Sequence, residues 1–401
     1  MNKARGKEIL DLAGKLEKQV IAWRREFHRQ PELGFQEFHT AETVARVLEQ
    51  LGLDVRKGMG GTGVVGLLEK GGERTIALRA DMDALPVSEE NDVPYRSQNK
   101  GLMHACGHDG HTAILLGAAS LLVQMKGTFR GNVKFIFQPA EEVEEGGAQK
   151  LIHEGVLSHP SVDGIIGLHL FNHFPSGAVG LTKGTVTAAV DNFEIEVIGK
   201  GGHGARPHEA IDSILIAGHL LHAIQSLVSR ETDALDPKVI TVGEINGGTA
   251  PNVIAERTRM RGTIRSLSNE MRERVSDLLR ERCEKVANAL GGKANVKIRK
   301  VLPPQINHKG LYEAVRRAAL ACLGPEKVID YDRPSMGGED FSYFSEIVPG
   351  VYYRLGVRDE GKGFVSPLHS PRFDFDESVL PLGVATMAAS AVEALESDWQ
   401  K

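Results

Sequence analysis

Two short apolar runs constrain this chain more than any other feature. Residues 132–137, ending Phe135-Ile136-Phe137, and residues 164–170, Gly164-Ile165-Ile166-Gly167-Leu168-His169-Leu170, are almost continuously apolar. A strand reads this way when both of its faces are covered, as in a sheet packed between helices. Further strands are predicted at 64–69 and 75–79, and an apolar helix at 112–124 carries Leu115, Leu116, Leu121 and Leu122. Strand alternating with helix implies an α/β sheet with helices on both faces. Upstream, Leu10, Leu12, Leu16, Val20 and Trp23 predict one helix over 6–29, stopped by Pro31, and a second over 40–50, stopped at Gly52.

The pattern changes near Thr185. Residues 193–198 alternate as a half-buried strand, 211–227 are helical, 238–245 and 253–264 are strands, 269–290 are helical and 295–300 form a strand. That order, β-α-β-β-α-β, is the ferredoxin-like split unit. After Pro303 the α/β pattern resumes. The prediction is therefore a large α/β domain from residues 1–184 and 301–401, interrupted by a small α+β domain at 185–300. The larger sheet is expected to finish with the segment that holds His369. At 401 residues the chain has room for both, since single cores stop growing near ~250–300 residues.

A net charge of -5 with no basic stripe excludes a nucleic-acid partner from the expectation. Three scattered cysteines, Cys106, Cys283 and Cys322, make no disulfide framework and point to a reducing compartment. The first thirty residues are charged throughout with no apolar signal core, and no uninterrupted apolar run reaches the ~20 residues a bilayer requires. A cytoplasmic enzyme without membrane association is expected.

The chemistry concentrates in His104-Ala105-Cys106-Gly107-His108-Asp109-Gly110-His111, where three histidines and a cysteine fall within eight residues. Thiolate and neutral imidazole are the side chains that best hold borderline-soft divalent metals. In an extended loop Cys106 and His108, two apart, project to one side, so these are the favoured ligands, with His104 and His111 flanking them. One such residue alone would be an ordinary buried cysteine or capping histidine; four together point to a metal without selecting which.

The apolar strand 132–137 runs through Gln138-Pro139-Ala140 into Glu141-Glu142, at the strand end where open α/β sheets place their sites. Adjacent residues of extended backbone face opposite ways, so one carboxylate is suited to ligate metal and the other to take a proton from water. Glu144-Glu145 reads as solvated surface. His169 sits in the second apolar strand, where a lone histidine is more often a satisfied core residue, and His369 lies between two prolines. Asp81 and Asp83 share a face at the end of the strand at 75–79, either as metal ligands or as groups that orient a ligand imidazole. Gly58-Met59-Gly60-Gly61-Thr62-Gly63 has the glycines of a phosphate loop but no following lysine, and reads as a plain turn.

These motifs, together with Phe27-His28-Arg29-Gln30-Pro31-Glu32-Leu33-Gly34-Phe35 and Leu368-His369-Ser370-Pro371, resemble the cysteine-type aminoacylase, hippurate hydrolase and auxin-conjugate hydrolase group of the dinuclear metallopeptidases. The resemblance covers nearly the whole chain. It implies a zinc-peptidase-like catalytic domain with an inserted ferredoxin-like lid and dimerisation domain, and two divalent ions (zinc, manganese, cobalt or nickel). It implies Cys106, His108, Glu142, His169 and His369 as ligands and Glu141 as general base. The wider superfamily's His-x-Asp ligand motif reads Asp81-Met82-Asp83 here, and both aspartates are placed behind the ligands. In the inserted module the resemblance assigns His203 and Asn252, within Gly199-Lys200-Gly201-Gly202-His203-Gly204 and Pro251-Asn252-Val253, to a substrate carbonyl. Arg265 is a candidate clamp for a substrate carboxylate, or a surface arginine at a strand end.

The reaction so implied is hydrolysis of an N-acyl-L-amino acid to a carboxylate and an amino acid, by a homodimer or higher homo-oligomer assembled through the inserted domain. A metallo-carboxypeptidase or dipeptidase acting on small peptides is the alternative. A metal-dependent binding protein without turnover is a third reading, against which the acid at position 141 counts.

Overall fold

The computed structural model describes residues 1–400, and they divide into two compact units. The first comprises Met1–Gly184, Ile306–Arg333 and the chain from Asp340 on; the second comprises Thr185–Gln305 and Pro334–Glu339.

The first unit is built on an eight-stranded mixed sheet. Its spatial order is Asp54–Met59, Gly63–Leu68, Asn132–Gln138, Thr75–Asp81, Gly164–Pro175, Gly350–Arg358, Val179–Leu181 and Val328–Asp330. The four central strands, from Asn132–Gln138 to Gly350–Arg358, are mutually parallel. Thr75–Asp81 is buried at every position. Because successive side chains point to opposite faces, this requires cover on both sides of the sheet. The register pairs Asp81 with Gln138 and His169 with Arg354, so chemically active residues gather at the carboxyl end of the central strands.

The helix His108–Gln124 is buried continuously from His108 to Leu122. It packs with Glu17–Arg29 and Leu380–Glu396, and Gly117 marks the contact: a Cβ there would lie 2.5 Å from Val384 and 2.9 Å from Val20. The segment Glu377–Glu396 has the length and apolarity of a membrane span, but 89% of that window is buried inside the protein, as in a core helix.

Several elements differ from the sequence expectation. The helix predicted over 6–29 is two, Lys3–Lys15 and Glu17–Arg29, because the Leu16 amide bonds back to the Ala13 carbonyl and tightens the last turn beside Gly14. The strand Asp54–Met59 had no prediction; it is a charged edge strand, a type that lacks the apolar signature of central strands. The sheet does not finish with the segment holding His369. Its last strand in sequence is Gly350–Arg358, and His369 lies in a turn beyond it.

The second unit is a four-stranded antiparallel sheet in the order Lys238–Gly247, Arg257–Ser266, Ala189–Ile198 and Lys293–Leu302. With helices Ser213–Arg230 and Asn269–Ala289 it follows the β-α-β-β-α-β plan. Phe193, Ile195, Val197, Leu220, Met260 and Leu279 form part of its core. Asp212 and Ser268 cap the two helices through side-chain bonds to backbone amides. The strand expected at 253–264 is broken into Val253–Ile254 and Arg257–Ser266. The unit extends to Gln305 rather than residue 300, because the last strand runs to Leu302. Ser335 and Gly337 return to this unit, pairing with Thr187 and Ala188.

Candidate metal centre

The His104–His111 motif is not an extended loop through His108. Gly107 adopts φ 92°, and His108 is the first residue of the helix. A left-handed turn of this kind is open to glycine at little cost. His108 and His111 are then one turn apart on the same helical face, while Asp109 turns away to bond Arg24 Nε at 2.8 Å and His28 Nδ1 at 2.8 Å.

Hydrogen bonding separates histidines that are closed from histidines that are open. In His111, Nδ1 lies 2.6 Å from Asp81 Oδ1 and Nε2 accepts the Leu170 amide at 2.9 Å, so both ring nitrogens are committed. In His108, Nδ1 donates to the Asp83 carbonyl at 2.9 Å, and the buried Nε2 has no hydrogen-bond partner. In His169, Nδ1 donates to the Leu170 carbonyl, which leaves Nε2 aimed at Cys106 Sγ, 3.4 Å away. His169 does not close its strand as expected; the strand continues to Pro175. His104 is buried with neither nitrogen hydrogen-bonded, and burial pushes its pKa down to about 3.

The carboxylates are placed by equally specific contacts. Asp83 Oδ2 accepts the Glu142 amide at 2.9 Å while Oδ1 lies 3.2 Å from His108 Nδ1. One aspartate thus orients the His108 imidazole and the backbone of the Glu141-Glu142 pair. Glu142 Oε1 is 3.2 Å from His369 Nε2, yet is buried without a well-aligned hydrogen bond. His369 adopts φ 65° and is held there by its amide bonding the Ala105 carbonyl at 2.7 Å.

Three sets of donor atoms result, each within 4.8 Å of one another: Cys106, His108 and His169; Cys106, Glu142 and His369; and His108, Glu141 and Glu142. Cys106, His108 and Glu142 are each common to two of them, so the three donor sets adjoin through shared corners, one of which is the thiol. In a fourth cluster, Asp81, His108 and His111, the aspartate and His111 are already hydrogen-bonded, to Arg79, to each other and to the Leu170 amide. The donor chemistry fits a divalent cation. The unpartnered His108 Nε2 lacks what a buried polar atom requires. Burial pushes the Cys106 thiol up, and a cation in place of its proton is the ordinary way such a buried thiol becomes thiolate.

Behind the donors lies a network of which the sequence reading picked out Asp81 but not Arg79, Gln138 or Asp340. Buried Arg79 donates from Nε to Gln138 Oε1, from Nη1 to Asp81 Oδ2 and from Nη2 to Asp340 Oδ1, at 2.8, 2.7 and 2.8 Å. Gln138 Nε2 reaches both Asp340 oxygens. Burial alone would raise the Asp81 carboxyl; His108, His111 and Arg79 together hold it well below the usual carboxylate range. The clue, an arginine inside an otherwise apolar strand, is visible at Arg79 in retrospect.

In the second unit, His203 is exposed on the two-residue strand Gly202–His203, which pairs with Val253–Ile254. The Gly204 amide bonds the Asn252 carbonyl at 2.8 Å, which sets His203 and Asn252 side by side on one ribbon. Arg265 Nη1 donates to the Met336 carbonyl at 2.8 Å, tying the arginine to the 334–339 loop. The glycine run at 58–63 is a turn whose Gly60 amide bonds Glu154 at 2.8 Å.

The arrangement has relatives. Residues 77–393 match the model of peptidase family M20/M25/M40. The chain is 41% identical over 383 residues to thermostable carboxypeptidase 2 of Saccharolobus solfataricus, covering 94% of this chain and 96% of that protein. It is 40% identical over 384 residues to the N-acetyl-L-cysteine deacetylase of Bacillus subtilis, covering 96% and 90%. A solved dinuclear metal binding peptidase of the M20 family from Bacillus subtilis superposes with a TM-score of 0.84 at 34% identity, covering 96% of this chain and 99% of that one. With donor set, fold and sequence in agreement, the chain belongs to peptidase family M20/M25/M40.

Proposed function

We propose that this protein is a metal-dependent amidohydrolase that cleaves N-acyl-L-amino acids into a carboxylate and an amino acid. The observation that carries the reading is Cys106 shared between two donor sets, with Glu141 in the adjoining set. Cys106, His108, Glu142, His169 and His369 would hold two divalent ions, for which zinc, manganese, cobalt and nickel all suit. Such ions would polarise a carbonyl and lower the pKa of a bound water toward ~7.

The chain's own residues supply the rest. Glu141 takes the proton of the attacking water and passes it to the departing nitrogen. Asp83 keeps His108 in the tautomer that carries its proton on Nδ1 and leaves the Nε2 lone pair free for a metal ion. His203 and Asn252 hydrogen-bond the carbonyl oxygen as its negative charge grows, and Arg265 pairs with the substrate carboxylate. Met1–Gly184, Ile306–Arg333 and the chain from Asp340 on form the catalytic domain in this scheme, and Thr185–Gln305 with Pro334–Glu339 the lid. The name of the deacetylase relative supports removal of an acyl group; that of the carboxypeptidase relative favours small peptides as a second reading.

The lid domain is our proposed site of homodimer or higher assembly. Ile214, Leu215, Val239 and Ile245 are exposed there, the last two on the edge strand Lys238–Gly247. A thiolate ligand and cysteines that are all free suit the reducing cytoplasm, where we place the protein. The test is a panel of N-acetyl, N-benzoyl and dipeptide substrates with each ion in turn. Faster hydrolysis of N-acyl amino acids than of dipeptides is expected; cleavage of dipeptides alone would replace this reading with the peptidase one.

A further inference from the structure

Glu37 belongs to none of the donor sets, yet it is fully buried. It occupies the N-cap position of the helix Phe38–Gln50 without capping it through its side chain. Its carboxylate turns inward instead. Oε1 accepts the Ala140 amide at 2.8 Å, and Oε2 accepts the Thr62 hydroxyl.

Ala140 is the residue immediately before Glu141, and its φ is 56°. A residue with a Cβ is disfavoured in this left-handed region and stays there only where its surroundings over-determine it. Here they do. The amide is held by Glu37, the carbonyl accepts the Gly147 amide at 3.0 Å, and the backbone two residues on is held by Asp83. Gly34 closes the fourth side: a Cβ on it would lie 3.0 Å from that of Ala140. A buried carboxylate is costly unless its oxygens are satisfied, and burial with Asp83 nearby pushes Glu37 up to about 7. An apolar side chain would fill the same space but would leave the Ala140 amide without an acceptor.

We propose that Glu37 is a positioning residue for Glu141: by accepting the Ala140 amide hydrogen it fixes the left-handed turn that sets the direction in which the Glu141-Glu142 pair leaves the strand Asn132–Gln138. This rests on Glu141 acting as general base. Removing the acceptor frees Ala140 to relax toward negative φ and swings Glu141 away from the water it must deprotonate. Misplacement of a reacting group by about 1 Å lowers turnover by about 10²-fold.

The experiment compares the parent, Glu141→Gln, Glu37→Ala and Glu37→Gln. It reads kcat and KM for N-acetyl-L-methionine, bound metal per chain and melting temperature. Glu37→Ala is expected to keep its metal and its KM while kcat falls by about 10²-fold. Glu37→Gln, whose amide oxygen also accepts the Ala140 hydrogen, is expected to recover kcat to within about threefold of the parent, in line with exchange of one hydrogen-bond acceptor for another. A metal-loaded Glu37→Ala with parental kcat would overturn the inference, as would a Glu37→Gln as impaired as Glu37→Ala. If Glu37→Ala does not fold, Gly34→Ala presses on the same residue from the opposite side and is expected to lower kcat with metal retained; parental kcat there would count against the proposal. An active Glu141→Gln would defeat the functional reading itself, whereas an inactive Glu141→Gln beside a fully active Glu37→Ala defeats only the role of Glu37.

Discussion

Cys106 Sγ and His169 Nε2 stand 3.4 Å apart, although one comes from the turn before a helix and the other from the middle of a strand. Two donors at the ~2.3 and ~2.1 Å bond lengths of a tetrahedral zinc site lie about 3.5 Å from one another. The pair therefore already has the spacing that a shared ion requires.

Cys106→Ala and His169→Ala should each lower metal content. Cys106 is common to two donor sets and His169 to one, so the cysteine variant is expected to lose more. Elemental analysis after dialysis against a weak chelator reads this directly. Full retention of metal by Cys106→Ala would remove it from the ligand set.

Glu141→Gln should separate binding from turnover. The amide side chain is nearly isosteric but is no base, so both ions should stay while kcat falls by about 10²–10⁴-fold, the usual contribution of a general base. Single-turnover kinetics on the metal-loaded variant make the measurement, and a parental rate would rule out the assignment.

Much of this architecture is legible in the residues themselves. The strand Asn132–Gln138 and the helix His108–Gln124 announce themselves because strands and helices buried on every side have no polar face to obscure the apolar run. The edge strand Asp54–Met59 is illegible for the opposite reason: it buries little and carries Asp54, Arg56 and Lys57. Among the site residues, local spacing identifies the cluster and favours His108 over His111, but on an extended-loop geometry that the turn at Gly107 replaces. In the structure that distinction comes from Asp81, Asp83 and Leu170, which arrive from other strands. Likewise one partner of Arg79 is Asp340, 261 residues away, beyond the reach of any periodicity.

The Arg79 network predicts a stability defect distinct from catalysis. Arg79→Met would leave Asp81 and Asp340 buried beside each other's partners with no cation between them. Breaking a buried ion pair from one side costs about 3–5 kcal/mol, so the denaturation midpoint should fall sharply. Urea unfolding followed by circular dichroism checks this. A loss below about 1 kcal/mol, the scale of an exposed pair, would show that the network contributes little.

Glu37 predicts a pH dependence of stability whose sign follows from its raised pKa. Burial, with Asp83 as the nearby charged group, lifts the carboxyl to about 7 from an ordinary value of 4.5. Between those values the folded protein binds more protons than the unfolded chain, so this group's contribution is complete below pH 4.5 and is lost as pH rises through 7. The difference corresponds to about 3 kcal/mol, at ~1.4 kcal/mol per pK unit. Other carboxylates titrate in the same interval, so the readout is the comparison with Glu37→Gln in metal-free protein. The melting temperature of the variant should rise relative to the parent as pH increases from 5 to 7. Parallel curves would mean that Glu37 stays ionised throughout and that its two hydrogen bonds fully offset its burial.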